Sequence, residues 1–550
     1  MNTEPATAPI HSMLLFCARP AQDAAASERI LALAKTMPDW PGLLAAAAQH
    51  GVAPLLCRRL SVLRDGALPE LWREQFREEF ARNTRRNLVL TAELFRILAA
   101  LETGGVCAIA YKGPVLAARA YADIALRQFA DLDIVVPQSE IAEAHSALAS
   151  LGYRSAIDPS KVRNSHFIAR GTAGQHSFSR AGGLSTVELH TEKTLRYLPK
   201  PLDWRGLRAR LQQIQFGGGS ARTFSLEDTL CLLSVHGAKH FWGRLGWICD
   251  ISQLMRLTGG LDWEATEKIA RQMRCWKMVL LGTAIANTLL DAPLPENAQR
   301  AIQKDSAVQT LCRRVCADFA LRPGEYPGIA QRLNFRLRSY DSLSDGLRQT
   351  LRVATQPTEE DWEAVPLPRA LEPLYALVRP WRLLRRHGLG LEHRTEADST
   401  EFVPIPAEMA DRMLRFADFS SDDRLYDLGC GDGSVVIAAA KKFGIPTVGV
   451  DIDPQRISEA RANATRNGVS HLVEFRQQDA RETDLTSATV VTMHLGIAGN
   501  LAILKKLRSE LRSGARIVSR DFPIPVWTPD DSDELEGPGN LTTTLFLWRI

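Results

Sequence analysis

Two acids, Asp131 and Asp133, stand one residue apart in the run Asp131-Leu-Asp-Ile-Val-Val136, which Pro137 closes. Side chains alternate along a strand, so the two carboxylates share a face, about 7 Å apart. Such a pair repels itself unless a cation lies between, and magnesium with phosphate oxygens suits it. Glu188, in the second extended run Thr186-Val-Glu-Leu-His190, is the candidate third carboxylate of the metal or base site. Upstream, Lys112-Gly113 ends a strand and opens a helix. Helix amides beside an ammonium make a cradle for a triphosphate. Arg127, just before the acidic strand, adds a phosphate contact.

A second constellation lies near the carboxyl end, in Tyr426-Asp427-Leu428-Gly429-Cys430-Gly431-Asp432-Gly433. It follows an apolar strand and precedes the helical run Val435 to Lys441. Glycines there let the backbone turn sharply and approach a ligand. The next strand, Thr447 to Asp451, ends in an acid at the distance where a ribose is held. A third strand leads to Asp479, near an adenine amine in such a layout. The glycines read G-x-G-x-G rather than the dinucleotide G-x-G-x-x-G, which weighs against a hydride-transferring oxidoreductase.

The elements that must position these residues fall into two patterns. Residues from about 25 to 104 and from Ser225 to about Leu351 carry leucine and alanine at helical spacing, with Ser225 as an N-cap. Between them lie strand signals at 105–112, 131–136, Ser177-Phe-Ser and 186–190, and helices at Pro114–Tyr121 and Ile141–Leu151. After the polar stretch Glu392 to Thr400, strands and helices alternate as in a parallel α/β sheet. The expected fold is therefore multidomain α/β: a helix-rich α+β region over 1–390, a linker at 391–400 and a Rossmann-like domain over 401–550.

Composition excludes little else. The 550 residues are 45% hydrophobic with a net charge of +4, so no bulk field favours nucleic acid or a membrane. Nine cysteines, an odd number without a CxxC pair, read as reduced thiols of a cytoplasmic protein. The start lacks a basic signal-peptide region, and no apolar run is long enough to span a bilayer. His236 and His240 are four apart on one helix but lack the glutamate of a zinc-protease motif, so they read as hydrogen-bonded core or surface histidines rather than zinc ligands. The basic segment Arg379–Arg386 reads as a face that packs on its own domain.

The run DLGCGDGSVVIAAAKKFGIPTVGVDIDP resembles the class I S-adenosylmethionine-dependent methyltransferases, and within them the small members akin to protein lysine methyltransferases. The resemblance includes Phe402-Val-Pro-Ile-Pro406, VVTMHL, SGARIVSRDF and the terminal LFLWRI, where the family more often has threonine in place of Ile405. It implies that Asp427, Gly429, Gly431 and Gly433 underlie the methionine part of S-adenosyl-L-methionine. Asp451 would hold the ribose and Asp479 would lie by the adenine. Neither N/D-P-P-Y nor a Pro-Cys pair follows the fourth strand, where His494-Leu-Gly496 stands, so amino-methylation of DNA bases and cytosine-C5 chemistry are disfavoured; the acceptor is otherwise open, and the resemblance implies a protein lysine.

The run YKGPVLAARAYADIALRQFADLDIVV, with VELH, LEDTLCLLSVHGAKHFWGRLGWICDISQL and LVRPWRLLRRHG, resembles an uncharacterised family of polymerase-beta-like nucleotidyltransferases. Where the wider fold carries Gly-Ser or Gly-Gly, this chain has Lys112-Gly113, as the narrower family does. The resemblance implies Mg2+ with an NTP, held by Asp131, Asp133 and Glu188, and an unknown nucleotidyl acceptor. The expected protein is a bifunctional transferase. The alternative is a methyltransferase whose N-terminal part is a non-catalytic substrate-binding module.

Overall fold

The computed structural model describes residues 9–20, 24–63, 66–155, 176–180, 186–191, 198, 202–257, 260–321, 329–355, 361, 365, 367, 371, 374–387, 405–524, 527–537 and 541–550. The chain divides into two compact units, Met1–Thr36 with His50–Arg394, and Met37–Gln49 with Thr395–Ile550. The expected linker at 391–400 lies outside the described residues, as do Phe402 to Pro404 of the FVPIP segment.

In the first unit the long helix α1 (Glu70–Thr103) is followed by β1 (Ile109–Ala110), α2 (Gly113–Tyr121), β2 (Asp131–Val135), α3 (Ile141–Ser150), β3 (Arg154–Ser155), β4 (His176–Ser179) and β5 (Thr186–His190). The strands form one sheet in the order β1-β2-β5-β4-β3. Only β2 and β5 run parallel, with Asp131 opposite Thr186 and Asp133 opposite Glu188. Leu132, Ile134, Val187 and Leu189 point into a core against Leu90, Leu94, Ile97 and Leu101, which recur along one face of α1. Alternation therefore puts Asp131, Asp133, Glu188 and His190 together on the opposite face. The run 105–112 reads as a strand, yet only Ile109 and Ala110 pair, because Gly104 and Gly105 turn the chain and Lys112 already caps α2.

A hairpin, β6 (Gln212–Phe216) and β7 (Gly219–Thr223), precedes the helical part. There α4 (Leu226–Lys239) starts as expected at Ser225, whose hydroxyl accepts the Asp228 amide at 3.1 Å. Helix α5 (Leu245–Met255) carries Asp250, and α6 (Trp276–Leu290) is almost wholly buried.

The second unit contains α7 (Ala407–Phe416), β8 (Leu425–Leu428), α8 (Ser434–Phe443), β9 (Thr447–Asp451), α9 (Pro454–Arg466), β10 (Val473–Gln477), β11 (Val490–Met493), α10 (Gly496–Glu510), β12 (Arg516–Arg520), β13 (Asp531–Gly537) and β14 (Leu541–Arg549). Its sheet runs β10-β9-β8-β11-β12-β14-β13, with the first five strands parallel and β14 antiparallel to both neighbours. The order reverses between β8 and β11, and such a switch point leaves a crevice at the carboxyl ends of the strands. Among the described residues no helix is long and apolar enough to cross a membrane. All nine cysteines are unbridged.

Candidate functional site

The first candidate site sits on the polar face of β2 and β5. Asp133 is 3% exposed. Its Oδ1 accepts the Lys112 ammonium at 3.2 Å and lies 3.0 Å from His190 Nε2. Its Oδ2 is buried and makes no hydrogen bond. Glu188 Oε2 is 3.5 Å from His190 Nε2. Burial would raise the Asp133 carboxyl, but Lys112 and His190 more than reverse this and hold it well below the ordinary range. Burial would likewise lower Lys112 and His190, and the neighbouring carboxylates raise both. Gly113 is required by contact, since it sits at φ +53° and a Cβ there would lie 3.2 Å from the Asp131 carbonyl oxygen. That close approach places the start of α2 directly against the acidic strand.

The expected metal triad is Asp131, Asp133 and Glu188. The compact ligand group among the described residues is Asp133, Glu188 and His190, whose ligand atoms lie within 4.8 Å of one another. Asp131 shares the face and is half-buried, and its charge acts on Lys112 and Arg127, but it stands outside that group. Arg127 is committed to α5. Its Nε and Nη2 donate to Asp250 at 2.9 and 3.0 Å, and the Tyr121 hydroxyl donates to the same carboxylate at 2.8 Å. Asn87 on α1 fixes the preceding turn through the carbonyls of Ile124 and Arg127.

His236 and His240 pack against each other and Trp247 in tilted and edge-on contacts, with centroids 4.8 to 5.3 Å apart. Burial depresses both, and the Lys112 charge lowers them further, so α4 does lie within electrostatic reach of the lysine. Neither belongs to a metal-ligand group among the described residues. In the basic segment, Arg379 and Arg382 both donate to the buried Asp361, which turns this run back on its own unit.

The second site is built from the ends of four adjacent strands. Asp427, at the end of β8, is 3% exposed and accepts one hydrogen bond, from the Thr492 hydroxyl at 2.7 Å. Burial pushes its carboxyl up to about 7; Thr492 opposes this, and the charges of Asp451 and Asp432 add to it. Beyond it the chain folds back: the amides of Gly429 and Cys430 donate to Val450 O at 2.8 and 2.9 Å. The Gly431 amide donates to Asp451 Oδ2 at 2.9 Å, and that of Asp453 to Oδ1 at 2.9 Å. Burial raises Asp451 as well. Gly433 caps α8 at φ +80°, and a Cβ there would stand 2.8 Å from the Phe475 ring. Asp479, past β10, is occupied by Arg481 through Nη2 at 2.5 Å, which lowers its carboxyl.

His494 follows β11 and is not marked by the sequence as a site residue. Its Nδ1 lies 3.0 Å from Arg520 O. A carbonyl can only accept, so Nδ1 carries the hydrogen and Nε2 keeps its lone pair. Burial, then Arg520, lowers its pKa. Asn500 on α10 ties this corner by donating to Phe522 O at 2.7 Å and Ser519 Oγ at 3.1 Å. The histidine is visible in the sequence; the carbonyl that sets its tautomer, 26 positions away, is not.

Two family profiles match the chain, one described as an uncharacterised nucleotidyltransferase over residues 36–291 and one as an ANTKMT methyltransferase domain over 427–531. A protein-lysine N-methyltransferase of Saccharolobus islandicus (strain REY15A) is 43% identical over 150 residues, which is 27% of this chain and 92% of that protein. The chain belongs to the S-adenosylmethionine-dependent methyltransferases. This methyltransferase is also 35% identical over 106 residues to the adenine nucleotide translocase lysine N-methyltransferase of Mus musculus, covering 19% of this chain and 46% of that protein. It thus spans a little under half the length of that relative. An RNA methyltransferase from Salinibacter ruber, solved with S-adenosyl-L-homocysteine, shares 44% identity over 27% of this chain and 94% of its own, with a TM-score of 0.26.

The residues fit the cofactor. Asp451 and Asp432 both bear on Asp427 across the loop, and burial raises Asp427 and Asp451 alike. S-adenosylmethionine carries a sulfonium and an ammonium, positive charge that suits an Asp427 held by a hydroxyl and faced by two acids. The glycine loop provides backbone where a Cβ would intrude.

Proposed function

We propose that the unit over 401–550 methylates a protein lysine. The observation that carries the cofactor is the buried Asp427, held by a hydroxyl rather than a cation at the strand-order switch point. Asp427, Gly429, Gly431 and Gly433 hold the methionine part of S-adenosylmethionine, Asp451 the ribose and Asp479 the adenine edge. The cofactor supplies an electrophilic methyl group on sulfur. The lysine enters as the free amine, and His494, neutral and with Nε2 unprotonated, accepts a hydrogen bond from that amine and orients its lone pair toward the methyl group. Alignment and water exclusion then carry most of the rate. The lysine reading is supported by relatives named as lysine N-methyltransferases. Calorimetry with S-adenosylmethionine, then methyl transfer to lysine peptides read by mass spectrometry, tests it. No uptake of methyl by any lysine acceptor, with the cofactor bound, overturns the acceptor.

For the unit over 1–390 we infer divalent-metal-dependent nucleotidyl transfer from an NTP, with Asp133 and Glu188 toward the metal and Lys112 and Gly113 toward the phosphates, while Arg127 stays with Asp250 and Asp131 stands outside the ligand group. The metal would neutralise phosphate charge and activate the attacking oxygen. A second reading, a non-catalytic binding module, is favoured by one observation: Lys112 and His190 already neutralise Asp133. Label transfer from each of the four NTPs, with and without Asp131→Ala, separates the two.

A further inference from the structure

The carboxylate of Asp133 is used unevenly. Oδ1 takes two donors, Lys112 Nζ at 3.2 Å and His190 Nε2 at 3.0 Å. Oδ2, equally buried, takes none. Buried charged oxygens are almost always satisfied, so an orphan asks what it is kept for. Glu188 lies directly across the parallel pair, and the ligand atoms of Asp133, Glu188 and His190 are within 4.8 Å of one another.

We propose that Asp133, Glu188 and His190 form a site for a borderline divalent metal, Mn2+ in the first instance, and that Lys112 is its resident counter-cation, passed to the nucleotide phosphates when the metal binds. This rests on the nucleotidyl-transfer reading and names its metal and order of binding. The site differs from the expected all-carboxylate magnesium triad by its imidazole. Magnesium prefers oxygen ligands and keeps its waters, whereas manganese accepts carboxylate and imidazole together. Lys112 and a divalent ion repel each other at the same carboxylate. The lysine side chain is a flexible stem with a point charge, rooted at the N-cap of α2. The first amides of that helix favour an anion. A polyphosphate there gives the displaced ammonium a new partner. Metal and nucleotide consequently bind with positive, reciprocal coupling.

The test uses the full chain. Mn2+ binding is followed by electron paramagnetic resonance and calorimetry, with and without non-hydrolysable α,β-methylene analogues of the four NTPs. In the unsubstituted protein, the analogue of the preferred base should tighten Mn2+ about tenfold. Lys112→Met should bind Mn2+ about tenfold tighter without nucleotide and lose the coupling. His190→Gln should weaken Mn2+ about tenfold while leaving Mg2+ nearly unchanged. Equal Mn2+ affinity in the unsubstituted protein and Lys112→Met, or no effect of His190→Gln, overturns the proposal even where a metal-dependent analogue still binds and the nucleotidyl reading stands. If neither metal nor any analogue binds the unsubstituted protein or either variant, the nucleotidyl reading falls first and this proposal with it.

Discussion

Asp133 and Asp427 are both 3% exposed acids at the working edge of a sheet, and their surroundings push them in opposite directions. Asp133 is answered by a lysine and a histidine from its own unit, so its charge is internally balanced. Asp427 has a hydroxyl and two neighbouring acids, so its charge is unbalanced until a ligand arrives. A pocket that keeps its own counter-ions suits an anionic substrate brought with a metal, because those cations can be handed over. A pocket that withholds them suits a cationic cofactor.

The largest expected effect lies on the balanced side. Asp133→Ala takes from the largely covered Lys112 its one hydrogen-bonded carboxylate, leaving Asp131 and Glu188 as more distant charges, and breaking such a pair costs about 3 kcal/mol. Urea unfolding should show that loss in the first unit, and adding Lys112→Met should restore more than half of it. A destabilisation under about 1 kcal/mol would mean the pair is not buried in solution.

The matching change on the other side should have the opposite sign. Asp427→Asn keeps the Thr492 hydrogen bond and removes a charge that the fold disfavours. The folded carboxyl, near 7, is raised from 3.8. Its contribution is therefore full below pH 3.8 and lost as pH rises through about 7. At pH 8 the cofactor-free variant should gain on the order of 3 kcal/mol over the parent, while its affinity for S-adenosylmethionine falls. A melting-temperature profile from pH 5 to 8, with and without cofactor, reads this directly. The alkaline decline should flatten when the cofactor is saturating.

Asp451→Ala removes the proposed ribose acceptor and the clamp on Gly431 and Asp453. Two charge-assisted hydrogen bonds at about 1.5 kcal/mol each predict roughly a hundredfold weaker cofactor binding by calorimetry. The smallest effect belongs to Gly433→Ala. A side chain at positive φ costs about 1–2 kcal/mol, and Phe475 stands in its way. Thermal unfolding should show the loss, and Phe475→Leu should recover part of it.

Much of this is legible because local patterns carry it. The strand at 186–190, the N-cap at Ser225 and the strand–loop–helix around Gly429 all depend on neighbours a few positions away. Strand β13 carries no strand signal, since its sequence DSDELEG is polar but for Leu535 and rich in acids. It occupies the sheet edge, where charge blunts further pairing. The hairpin at Gln212–Thr223 is also absent from the sequence expectations, although Gly217-Gly218 is a recognisable turn signal. Arg127 reads as a phosphate ligand because it precedes the acids, but Asp250, 123 positions later, engages it.

The sequence alone determined which residue types stand at which strand ends: the paired acids, the glycine loop and the acid that closes the next strand, Asp451. Those follow from alternation and backbone sterics, which act over a few residues. Only the tertiary structure decided the charge state of each acid, because that depends on what other strands and helices bring within a few ångströms. Strand pairing set His190 beside Asp133 and kept every cation from Asp427's own hydrogen bond. Electrostatic energy follows distance in space and the surrounding dielectric, and neither is written in the order of the residues.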